Sequence, residues 1–111
     1  MDQKKALEIM AEAYAAYEKI LPKPIHDAYL FGDYATGRYD EESGVYILIV
    51  VDMSQEELQS YEKKLIHIDS ELEMKYDVFV CDFSVPLEIF ERTNGYYLHQ
   101  NIRDEGIRYA A

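Results

Sequence analysis

FGDYATGRYDEESGVYILIVVD, residues Phe31 to Asp52, is the stretch on which the fold turns. A glycine-punctuated loop runs from Gly32 to Gly37, a polar turn occupies Asp40 to Ser43, and Val45 to Val51 is an almost unbroken apolar run rich in β-branched residues. A run of this kind, apolar on both faces, has the pattern of a central strand covered from both sides. Glycines allow the tight turn from a strand into a helix, and a helix entered through such a turn aims backbone N–H groups at an anion. The stretch therefore suits either a tight turn between strand and helix or the layout of a nucleotide-binding loop.

The same pattern extends outward in both directions. Apolar residues from Ala6 to Leu21 recur at spacings of three and four, with Asp2 placed to cap the helix they define. The segment Leu21-Pro22-Lys23-Pro24 ends that helix in a turn, and a strand is expected at about Ala28 to Phe31. Ser54 and Glu57 form a capping box that opens a second long helix, expected to run to about Leu72. Tyr76 to Phe83 alternates as a third strand, Pro86 is placed to start a helix through Glu91, and Gly95 separates it from a last helix, Tyr96 to Asp104. Ile107 to Tyr109, after Gly106, is a short tail positioned to pair with the sheet edge. The order is that of a small α/β domain, a mixed β-sheet with helices packed on it, expected as a single domain over residues 1–111.

Composition narrows the function. The chain carries 22 acidic and 11 basic residues, a net charge of −11, and the basic residues are scattered. Such a surface repels phosphate backbones, so no nucleic-acid partner is expected and a basic protein partner is. No apolar segment approaches the roughly 18 to 20 residues that span a bilayer, and the first helix lacks the apolar centre of a signal peptide, so no membrane association and a cytoplasmic location are expected. Cys81 is the single cysteine and reads as a small core residue. His26, His67 and His99 lie in separate elements without ligand spacing, and packing or surface roles are expected for them. The 11 tyrosines, notably Tyr14, Tyr17, Tyr96 and Tyr97, suit either packing or an interface.

Leu30, Phe31, Gly32, Ala35 and Gly37, followed by Ser43 and Ile47 to Val51, resemble the glycine-serine signature of the minimal nucleotidyltransferases of the DNA polymerase beta superfamily. These are the domains paired with HEPN proteins in prokaryotic toxin-antitoxin pairs. Tyr76 to Val80 is similar to the family's later strand bearing a third carboxylate, and Asn101 to Ala110 to its closing helix and tail. The resemblance covers the whole chain and implies the polymerase beta-like nucleotidyltransferase fold.

In that family the loop holds the triphosphate, and two aspartates on the second strand with a third carboxylate hold two Mg²⁺ ions. Carried onto this chain, the former phosphate loop is Gly32, Asp33 and Gly37, with Asp33 at the serine position. Gly44 and Tyr46 stand at the two metal-aspartate positions, and Asp77 is the implied remnant of the metal site. Gly44 offers no ligand, and Tyr46 offers a phenol in place of a carboxylate, a poor Mg²⁺ ligand. Asp33 would oppose the phosphates by roughly 4 kcal/mol per unit charge at about 4 Å and an effective dielectric near 20. The expectation is therefore a catalytically impaired, antitoxin-like binding or regulatory module, with no cofactor and with a HEPN-like protein or a second copy as partner. The alternative is a divergent metal-dependent enzyme, using Mg²⁺ and ATP to transfer AMP to a hydroxyl. It would draw on Asp77 with Asp40 or Glu42.

Overall fold

A computed structural model of the chain describes residues 1–92 and 97–109. Gly95 and Tyr96, and the side chains of Tyr97, Leu98 and His99, on which some of the expectations above fall, lie outside the described residues. The elements run α1 (Gln3–Ile20), β1 (Ile25–Phe31), α2 (Asp33–Thr36), β2 (Val45–Val51), α3 (Gln55–Tyr76), β3 (Val80–Pro86), α4 (Leu87–Arg92), α5 (Tyr97–Glu105) and β4 (Ile107–Arg108). The sheet order is β3-β2-β1-β4; β2 and β3 are parallel, and β1 is antiparallel to both β2 and β4. This is the expected mixed α/β sheet with helices packed on it, compatible with a nucleotidyltransferase-like fold.

Strand β2 is central because its side chains feed two cores. Val45, Ile47, Ile49 and Val51 pack with α1 and α3 residues such as Ile9, Met10, Leu65 and Leu72. Leu48 and Val50 pack instead with Phe90 of α4 and Ile102 of α5. Alternation along a strand sends successive side chains to opposite faces, so a strand with helices on both faces reads as continuously apolar. In β1 a register shift between Ile25 and Asp27 lets both Ile25 and Ala28 face the larger core, which extends the strand earlier than the expected Ala28 start.

The helix starts follow their caps. Asp2 Oδ1 accepts from the Lys5 N–H at 2.9 Å, and the Ser54–Glu57 box is formed in both directions. Helix α3, however, continues about one turn beyond the expected end at Leu72. Tyr76 donates its hydroxyl to Glu12 Oε1 at 2.8 Å and Lys75 binds the same carboxylate at 2.9 Å, so the last turn is tied to α1. Asp77 then takes the left-handed conformation, φ 53°, as the helix C-cap, a geometry that aspartate tolerates better than most residues. The third strand consequently begins at Val80, not Tyr76. It ends on Pro86, which closes an edge strand where its missing N–H breaks no inner ladder, and α4 starts after it. The tail pairs as expected, Tyr29 with Arg108 and Leu30 with Ile107. Among the described residues, no helix is long and apolar enough to cross a membrane.

Candidate functional site

The loop after β1 and the start of β2 meet at one end of the sheet. Gly32 leaves the strand with φ 86°, a conformation that disfavours any side chain, and leads into α2, a single turn of four residues. A Cβ placed on Gly32 would lie 3.1 Å from Tyr46 Cδ2. A Cβ placed on Gly44 would lie 3.0 Å from Phe79 Cδ2, 3.3 Å from the Phe79 carbonyl oxygen and 3.3 Å from Tyr46 Cζ. The Tyr46 ring is thus packed against both glycines, and Phe79 closes over Gly44.

Two further rings complete the cluster. Phe31 lies 5.8 Å from Tyr46 and 5.5 Å from Phe83 between ring centroids, while Tyr46 lies 6.0 Å from Phe79 and 6.5 Å from Phe83. The tilted and edge-on arrangements are those that aromatic quadrupoles favour. Phe79 and Phe83 keep 54% and 46% of their surface exposed, so the cluster presents rings to solvent.

Register explains why β3 contributes rings and no carboxylate here. Tyr46 is paired with Cys81 and Ile47 with Asp82. Phe79, Cys81 and Phe83 share the face of Tyr46, whereas Asp82, the β3 carboxylate, lies on the face covered by α1 and α3. Cys81 is half-buried, not the fully buried residue its composition suggested, and burial, with Asp82 and Asp69 nearby, pushes its thiol up.

Of the carboxylates that were candidates from sequence, Asp33 and Asp40 meet at Ser43. The Ser43 hydroxyl accepts from the Asp40 N–H at 2.9 Å and sits 3.3 Å from Asp40 Oδ1 and 3.5 Å from Asp33 Oδ2, with one proton to give to either. Asp33 therefore faces Ser43 and Asp40 and does not cap α2, whose N-cap is Gly32 with no side-chain bond. Asp77 lines an open cleft of about 370 Å³ together with Asp40, Glu41, Tyr34 and Tyr39. Gly32 and Asp33 line another hollow with Arg38, Asn101 and Glu105. Among the described residues, no three His, Cys, Asp or Glu side chains form a group able to hold a metal ion. His26 is exposed, and His67 is exposed with Nε2 2.6 Å from Glu71 Oε1.

Reading by motif misses a second polar centre on the other face. Asp69 of α3 is only 5% exposed; Tyr17 of α1 donates its hydroxyl to Asp69 Oδ1, and the Asp82 N–H donates to Asp69 Oδ2 at 3.1 Å. Burial pushes the Asp69 carboxyl up to about 8; the neighbouring Asp82 carboxyl adds to this and the Tyr17 hydroxyl opposes it. Burial and the Asp69 charge drive the Tyr17 phenol upward as well. A signal was available: Asp69 stands on the buried stripe of Leu58, Leu65 and Leu72, where helical spacing calls for an apolar residue.

No protein-family model matches the chain. Two curated proteins of Methanocaldococcus jannaschii are similar to it, both bearing the description "putative protein adenylyltransferase". MJ0604 is 31% identical over 107 residues, 96% of this chain and 96% of that protein. MJ0141 is 36% identical over 74 residues, 67% of this chain and 73% of that protein.

Proposed function

The chain belongs to the nucleotidyltransferase-like family of these two archaeal proteins, and we propose that it serves there as a binding or regulatory module of the cytoplasm rather than as a nucleotide-transferring enzyme. The observation that carries this reading is the Tyr46 ring packed against Gly32 and Gly44, the positions that correspond to the phosphate loop and a metal aspartate. Mg²⁺ demands oxygen ligands in near-octahedral geometry. At these positions the chain offers a glycine, a neutral phenol and, beside them on β3, a thiol, so the residues do not fit the ion pair of the family and no transfer step is assigned to them. What the cluster does offer is an exposed aromatic surface on an acidic protein, the composition that binding faces favour. The partner in this reading is another protein, HEPN-like and basic at its contact, or a second copy of the chain.

One observation favours the enzymatic reading. Asp77, Asp40 and Glu41 line a common cleft beside the loop, and both relatives bear the description "putative protein adenylyltransferase". Incubation with Mg²⁺ or Mn²⁺, ATP labelled in its α-phosphate and candidate acceptor proteins, the chain itself included, separates the two. The binding-module reading predicts no labelled AMP on any acceptor. Metal-dependent labelling abolished by Asp77→Ala or Asp40→Ala would establish the enzyme.

A further inference from the structure

Strand β3 lies at the edge of the sheet, yet two of its outward amides are occupied. The Val45 N–H donates to the Phe79 carbonyl at 2.7 Å, which sets the alternation of the parallel ladder, so Phe79, Cys81 and Phe83 turn their backbone bonds toward β2. Val80 and Asp82 turn theirs away from the sheet. The Val80 N–H donates to Glu73 Oε1 at 3.0 Å and the Asp82 N–H to Asp69 Oδ2 at 3.1 Å. Both acceptors stand on α3, one helical turn apart. Four helical residues advance about 6 Å and two strand residues about 6.6 Å, so carboxylates at i and i+4 of an antiparallel helix match alternate strand amides. Ser84 continues the alternation, but at its level α3 presents Ile66 and Glu62 across a groove that also holds Gln59 and Phe83.

We propose that Glu73 and Asp69 act as an edge guard, closing the outer edge of β3 to strand pairing, and that a second copy of β3 is the occupant they exclude. An unpaired edge flanked by exposed rings is a template for association, and here Phe79 and Phe83 flank the guarded stretch. This inference concerns the strand's backbone edge and is independent of what the ring face binds.

Native-state amide exchange tests it in the unaltered protein: Val80 and Asp82 amides should exchange at least about tenfold more slowly than that of Ser84. An open-edge variant combines Glu73→Ala with Asp69→Val and Tyr17→Phe, so that no buried hydroxyl loses its acceptor. A charge-matched control, Glu73→Gln with Asp69→Asn, keeps a carbonyl at each position. In sedimentation velocity near physiological salt, where charge repulsion is screened beyond about 8 Å, the folded open-edge variant should associate in a concentration-dependent manner beyond the parent, and the control should not. Equal association of the two variants, a folded open-edge variant with the parent's mass, or Val80 and Asp82 amides as labile as Ser84 would each overturn the proposal.

Discussion

The two faces of the sheet treat carboxylates in opposite ways. On the face that carries Tyr46, the end of β2 holds rings: Phe31, Tyr46, Phe79 and Phe83 cluster there. On the face beneath α1 and α3, Asp69 and Glu73 are bonded to β3 amides, and Asp69 is almost fully buried. The difference teaches that a carboxylate-rich chain sorts its acidic groups by face. Asp69 and Glu73 accept backbone and phenol hydrogen bonds at α3, and the face of Tyr46 carries partly exposed aromatic surface.

The largest effect expected from breaking this contrast comes from Asp69→Val. It leaves the Tyr17 hydroxyl and the Asp82 amide without their acceptor, and a buried donor left unpaired costs about 1–3 kcal/mol. Denaturant unfolding should show a loss of about 2–4 kcal/mol, of which Tyr17→Phe in the same chain should restore a part. Additive losses in the double variant would separate the two groups and contradict the network.

The pH dependence rests on the same carboxyl. The Asp69 carboxyl titrates at about 8 when folded and at about 3.9 when unfolded. Between those values the native state holds a proton that the unfolded state releases, so this contribution is complete below about pH 4 and is lost as the pH rises through about 8. The parent should lose stability relative to Asp69→Asn across that window, with a slope of up to about 1.4 kcal/mol per pH unit. A difference that stays flat from pH 5 to pH 8 would place the Asp69 carboxyl in the ordinary range.

Much of the fold was legible in sequence, because it is written in local patterns. The Asp2 cap, the Ser54–Glu57 box, the apolar run of β2 and the pairing of the tail all rest on neighbouring residues. The end of α3 was not legible: the alternation of Tyr76 to Phe83 fits a strand, and only the contacts of Lys75 and Tyr76 with Glu12, far away in sequence, carry the helix onward. Of the candidate site, the glycine loop and the strand that follows it were legible in the Phe31 to Asp52 stretch. The ring cluster was not, since its members come from β1, β2 and β3 and the segment before β3, and their meeting depends on the register that pairs Tyr46 with Cys81. Asp69 was overlooked for a related reason, as one polar residue within an apolar stripe has no motif of its own.

A smaller effect sharpens the account of the ring face. Gly44→Ala inserts a methyl group 3.0 Å from a Phe79 ring carbon and 3.3 Å from the fixed Phe79 carbonyl oxygen. The ring can move but the backbone cannot, so a loss of about 1–2 kcal/mol is expected in thermal or denaturant unfolding. Gly37→Ala, where a Cβ meets nothing within 4 Å, should cost only the strain of its positive φ. If Gly44→Ala costs nothing, Phe79 does not close over Gly44 in solution.

The proposed function requires that the Tyr46 ring, held against Gly32 and Gly44, leave no place for a nucleotide and its metals. Calorimetric titration with MgATP tests it most directly. The account predicts no binding tighter than millimolar, with the heats unchanged by Asp77→Ala; micromolar binding that disappears with Asp77→Ala would contradict it.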